Sequence, residues 1–155
     1  MSQGMNERPT GRARTPVHLW IVGVLALLWN AMGVFDYLAT ELRVESYLSQ
    51  FSADQLEYFD SYPTWAVAFW AFGVWGGLVG SIGLLMRRGW AVGAFSLSLL
   101  GVVVSDVYNF GVRNGGEIVG TGGTIFTAVI CAIAILLLVY ARRQKRNGVL
   151  RSAGA

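Results

Sequence analysis

Four stretches of this chain, at about 18–39, 65–86, 90–109 and 119–141, carry at most one charged residue each. That pattern restricts the fold more than any motif does. Crossing the hydrocarbon layer as a helix takes about 20 mostly apolar residues, and each stretch is long enough. A soluble chain of 155 residues could not bury all four in one core, because small domains keep too much surface. Charged residues make up only 14% of the chain, against roughly 25% in ordinary soluble domains. Mean hydropathy is +0.51. The apolar runs are continuous rather than alternating, which predicts helices and not membrane strands. The expected fold is therefore all-α: one integral membrane domain over 1–155, built as a four-helix transmembrane bundle. The first stretch is read as a retained anchor, since its apolar run is long for a signal peptide and Ala31-Met32-Gly33 is a poor cleavage match.

The cations predict the orientation. Arg8, Arg12 and Arg14 precede the first span, Arg87 and Arg88 separate the second and third, and Arg142, Arg143, Lys145, Arg146 and Arg151 follow the fourth. An even number of crossings puts all three groups on one side, leaving only Arg43 and Arg113 opposite. Lys and Arg resist translocation, so both tails, 1–17 and 142–155, are expected in the cytoplasm of a bacterial inner-membrane protein. The partner these flanks predict is the lipid bilayer, with anionic lipid at the cytoplasmic face. The net charge of +3 does not indicate nucleic acid, because no binding motif accompanies it.

The loop 40–63 is the one sizeable extramembrane element, and it is acidic. Val44, Tyr47, Leu48 and Phe51 recur at helical spacing. Ser52 followed by Gln55 reads as a capping box opening a second short helix through Leu56 and Phe59, which Pro63 ends. Two amphipathic helices on the outer surface are expected, apolar side toward lipid or the bundle mouth. The glycines from Gly115 to Gly123 read as a flexible outer turn into the fourth helix.

Gly73, Gly76, Gly77, Gly80 and Gly83 form a small-residue ridge on the second span. Such ridges let backbones approach where no hydrophobic effect drives association. Ser98, Gly101 and Ser105 offer a matching face on the third span, and Thr124, Thr127, Ala128 and Cys131 one on the fourth. The tight Arg87-Arg88-Gly89 turn predicts that the ridge packs within the chain; a homodimer seam is the other use.

Polar residues inside spans are the first place to seek function. Asn30, Asp36, Asp106 and Asn109 are candidates for a polar vestibule open to the outside. The plainer reading leaves both carboxylates at the wet interface, paired with Arg43 or Arg113. Trp29, Trp70 and Trp75 lie deep enough to line a ligand site or simply to fill space beside the glycines. No catalytic set, metal-ligand spacing or cofactor motif is present. His18 is the single histidine and Cys131 the single cysteine, and no Lys follows the glycines to reach a phosphate. No carboxylate sits at a midplane, where proton coupling of the small drug-exporter kind would need one.

Leu28-Trp29-Asn30-Ala31-Met32-Gly33 with Asp36-Tyr37 resembles the first helix of a family of small four-helix bacterial inner-membrane proteins of unknown function. Phe51-Ser52, Gln55, Tyr58 and Pro63-Thr64-Trp65 resemble that family's outer loop. Trp70, Gly73-Val74-Trp75-Gly76-Gly77, Gly80-Ser81, Leu84-Leu85 and Arg87-Arg88-Gly89-Trp90-Ala91 resemble its second helix and inner turn. The resemblance covers about 20–110 and implies the same architecture; members often carry the label "sugar transporter". Two functional classes stay open at this point. One is a non-catalytic accessory or interaction protein, alone or in a larger membrane complex. The other is a small-solute transporter or channel, sugar being the labelled guess, which would need a homo-oligomer to enclose a pathway.

Overall fold

The computed structural model describes residues 15–151. Arg8, Arg12 and Arg14 therefore lie outside the described residues, as does 152–155. Within that range the chain is all-α: α1 (Val17–Glu41), α2 (Glu45–Leu48), α3 (Ala53–Asp60), α4 (Thr64–Leu85), α5 (Ala91–Asp106) and α6 (Gly115–Arg146). A π-helical segment, Val107–Val112, extends α5. Four helices, α1, α4, extended α5 and α6, are long and apolar enough to cross a membrane. They run antiparallel. The end carrying α2 and α3 is called here the loop end, and the end holding the first and last described residues the tail end.

The glycine ridge sets the packing. A Cβ on Gly76 would lie 2.9 Å from the Ser98 amide nitrogen and 3.0 Å from the Ala94 carbonyl, so α4 and α5 touch almost backbone to backbone. The Ser98 hydroxyl donates to the Gly73 carbonyl across that seam at 2.6 Å. Gly80 and Gly83 receive the rings of Phe95 and Trp90, and Gly77 receives Asn30 from α1. Thus α4 is flanked by α5 and α1, and α6 packs on α5. Between α1 and α6 the contact is made by large side chains, His18 with Tyr140 and Trp29 with Phe126.

The main buried cluster sits at the tail end. Leu19, Ala26, Leu84, Ala91, Phe95, Leu137, Leu138 and Ala141 form it, joined by Val149 and Leu150. These last two correct the expectation of a plain basic tail from 142 onward. Arg142 to Arg146 remain helical, Gly148 reverses the chain at φ 73°, and Val149 and Leu150 fold back into the core. Arg151 then clips to the α4–α5 turn. Its amide donates to the Arg87 carbonyl at 2.8 Å and its carbonyl accepts from the Gly89 amide at 2.7 Å. Arg87 holds Thr15 at 2.6 Å, so the beginning and end of the described chain meet at one turn.

The fourth span also differs from expectation. It starts at Gly115 rather than near 119, and the glycines are helical instead of forming a loose turn. Asn114, at φ 54°, completes the reversal, because Asn tolerates the left-handed region. Gly120 alone departs from helix, at φ 67° and ψ −176°, and kinks α6. The small face expected on this helix is only partly packed: Thr127 and Cys131 are half-buried, and Thr124 and Ala128 are exposed. The third span runs past 109 to Val112, and the first from Val17 to Glu41.

Candidate functional site

The polar and aromatic residues of the spans gather most densely at the loop end, beneath α3. Ser52 starts that helix with the expected capping box: its hydroxyl accepts from the Gln55 amide at 3.3 Å, and its own amide donates to Gln55 Oε1 at 3.1 Å. This fixes which face α3 turns inward. Tyr58 is buried there, with Tyr62 half-buried one turn later.

Both tyrosine hydroxyls donate to Asn109 Oδ1, Tyr58 at 3.0 Å. Asn109 lies in the π-helical segment, which swings its side chain out of simple α register toward α3. Arg113 closes the group from below. Its guanidinium carbon lies 4.1 Å from the centre of the Tyr58 ring and 5.2 Å from that of Tyr62. It also donates to the Tyr58 carbonyl at 3.1 Å and the Ser61 hydroxyl at 2.5 Å. A cation over stacked rings gains most where water is partly excluded. Burial and the adjoining Tyr58 push the Tyr62 hydroxyl well above the ordinary tyrosine range, with Asn109 and Arg113 pulling the other way.

A second tie joins α2 to α1. The Tyr47 hydroxyl donates to Asp36. Burial, then the neighbouring carboxylate, holds that hydroxyl far above its usual range. Arg43, in the left-handed region at φ 53°, turns the chain between the two helices and pairs with Asp60 at 2.6 Å. Edge-on aromatic contacts run through the whole cap, from Phe35 through Tyr47, Phe51, Phe59, Tyr62 and Tyr108 to Trp65. Beneath it lies a cavity of about 200 Å³, lined by the rings of Phe59, Tyr62 and Trp70, by Glu41, Arg43 and Asp60, and by Thr40 and Val67.

The four residues of the candidate vestibule take separate places. Asn30 sits deeper, donating to the Ala26 carbonyl at 2.8 Å and the Ser81 hydroxyl at 3.2 Å, and ties α1 to α4. Asp36 belongs to Tyr47, and Asn109 to the two tyrosines of α3. Asp106 follows Phe95, Leu99 and Val102 along one stripe of α5, is half-buried, and has no hydrogen bond or ion pair among the described residues. No hydrogen bond links any two of the four. The carboxylate pairings expected with Arg43 and Arg113 are also replaced: Arg43 pairs with Asp60, and Arg113 binds Tyr58 and Ser61. Of the three deep tryptophans, Trp70 lines the cavity and meets Tyr37 at 5.0 Å, Trp29 meets Phe126, and Trp75 is 41% exposed on the outside of the bundle.

Sequence reading gave no role in the site to Tyr47 or Tyr58, offered Arg113 only as a partner for a carboxylate, and passed over Tyr62. Tyr58 and Tyr62 stand four apart, a spacing that already places them on one face. Among the described residues no group of three or more His, Cys, Asp or Glu side chains could hold a metal ion. No family model matches the chain, no curated protein is similar to it, and no solved structure matches it.

Proposed function

We propose that the chain is a non-catalytic accessory or interaction protein of the bacterial inner membrane, one of the small four-helix proteins its motifs resemble. Its tail end faces the cytoplasm in this reading. Arg87, Arg88, Arg142, Arg143, Lys145, Arg146 and Arg151 all lie at that end, and cations of this density resist transfer across the bilayer. The observation that carries the functional reading is the way polar side chains are used. Asn30, Asp36, Asn109 and Arg113 each hold one element of the chain to another. Polar groups spent on shape leave a capped scaffold whose working surfaces are the cap and the outward faces of α1 and α6.

Affinity purification of the tagged full-length protein from native membrane, in mild detergent, tests this. Co-purification of a defined protein at a fixed ratio is expected. A second reading, small-solute transport by a homo-oligomer, is favoured by the cavity under α3, whose rings and flanking carboxylates suit a small polar solute such as a sugar. It predicts that added monosaccharides change Trp fluorescence and that Trp70→Phe removes part of the change. A strict monomer with no co-purifying protein overturns both readings.

A further inference from the structure

The tail end holds another recess, of about 590 Å³, between the start of α1 and the end of α6. Five polar side chains line it: His18, Tyr140, Arg143, Gln144 and Asn147. Every one of them can donate a hydrogen bond, and none is a carboxylate. The acidic residues of the described chain all lie toward the other end, in the last turns of α1, in the α2–α3 cap, at Asp106 and at Glu117. Among the described residues the recess therefore carries the Arg143 charge and no carboxylate.

Gln144 is the least exposed of the polar residues lining the recess. It is 4% exposed in a helix turn whose neighbours Arg142, Arg143, Lys145 and Arg146 are all exposed. Its carbonyl accepts from the amides of Val149 at 3.0 Å and Leu150 at 3.3 Å, which holds its backbone in place. Its side-chain amide makes no hydrogen bond among the described residues and lines the recess. That amide keeps access to solvent and is free to donate to an acceptor in the recess. His18 and Tyr140 share a 2.6 Å hydrogen bond on the same wall.

Apolar surface lies immediately beside these donors. Val17, next to His18, is 75% exposed, and Val139, next to Tyr140, is 56% exposed. From His18 and Tyr140 toward Trp29 and Phe126, α1 and α6 carry exposed apolar side chains leading away from the recess, among them Ile21, Leu25, Ile135 and Leu136. A ligand fitting both parts carries an anionic group with several acceptor oxygens on an apolar body. Basic pockets between spanning helices at the cytoplasmic side hold phospholipid headgroups by this chemistry, and a guanidinium matches a phosphate with two parallel hydrogen bonds.

We propose that this recess binds the phosphate of an anionic phospholipid, with the acyl chains along these apolar side chains of α1 and α6. The proposal rests on the membrane placement of the four helices and is independent of whether the protein is an accessory subunit or a transporter.

The test uses the full-length protein in mild detergent, mixed with phosphatidylglycerol or phosphatidylcholine, with bound lipid counted by native mass spectrometry. One phosphatidylglycerol should be retained in preference to phosphatidylcholine. Arg143→Gln combined with Asn147→Ala, both at exposed positions that leave the core intact, should weaken that retention about tenfold. Arg88→Gln removes the same charge at the same end but outside the recess, and should change retention by less than about twofold. Equal weakening by Arg88→Gln would mean diffuse charge attraction and would overturn the site. Equal retention of the two lipids would overturn it as well. Displacement of the lipid by inorganic phosphate would assign the recess to a free anion and overturn the lipid assignment.

Discussion

Toward the tail end the helices close on one another through Leu19, Leu84, Ala91, Phe95, Leu138 and Ala141, and at mid-span glycines bring α4 and α5 nearly into backbone contact. At the loop end the same helices meet under a lid of rings, held by Arg113, Asn109 and the Asp36–Tyr47 tie. The difference follows from the surroundings of each end. Between spans in lipid, close van der Waals fit is the main attraction available, so small residues dominate. A cap reaching into water can use the hydrophobic effect, directed hydrogen bonds and cation–ring contacts together. One end is therefore sensitive to volume, the other to individual polar atoms.

The sharpest way to break that comparison is a leucine at Gly76. Its side chain would run into the Ser98 and Ala94 backbone, which cannot yield as a side chain can. Gly76→Leu should destabilise by about 3 kcal/mol or more, read as a lower melting temperature in detergent. Arg113→Gln should come next, at about 2 kcal/mol, because it loses the contact with the Tyr58 ring and two hydrogen bonds. Its effect should be local: faster protease cleavage between α2 and α3 with little change in the melting of the spans. A whole-bundle melting drop from Arg113→Gln would show that the two ends are not separable in this way.

Tyr47→Phe should cost about 1 kcal/mol, the net worth of an ordinary hydrogen bond. The same tie predicts a pH response. The Tyr47 and Tyr62 hydroxyls are raised above 10.0, their ordinary value, so the folded cap holds those protons more tightly than the unfolded chain does. Their stabilisation is complete below pH 10.0 and falls as pH climbs beyond it. Alkaline titration followed by tyrosinate absorbance should place Tyr47 and Tyr62 among the late-ionising tyrosines, with one late-ionising group lost in Tyr47→Phe. The smallest change is expected at Arg43→Gln, since the Arg43–Asp60 pair is more than half exposed on both sides. It should stay under about 1 kcal/mol and vanish in high salt.

The four spans were readable because lipid demands long, uncharged, internally bonded segments, and hydropathy reports that demand directly. The Ser52–Gln55 capping box was readable for a similar reason: every interaction in it lies within three residues. The cap's other ties are long-range. Arg113 reaches α3 from some fifty positions away, and nothing local to Arg113 says that Tyr58 will lie over it. The last turn of α5 was misjudged because a π-helical segment shifts register without any compositional mark. The start of α6 was misjudged because glycine permits both turn and helix, and Asn114 had already completed the reversal. Val149 and Leu150 were passed over as tail since two apolar residues among cations give no periodic signal.

The clip made by Arg151 sets the order in which this molecule can finish assembling. Every residue of the four spans leaves the ribosome before Arg151 does. Until it docks, the Arg87 carbonyl and the Gly89 amide lack the partners they hold in the finished protein. A chain shortened to Gly148 would keep its full complement of crossings yet lose Val149 and Leu150 from the core, so tags or truncations placed at that extremity act on the latch rather than on a spectator.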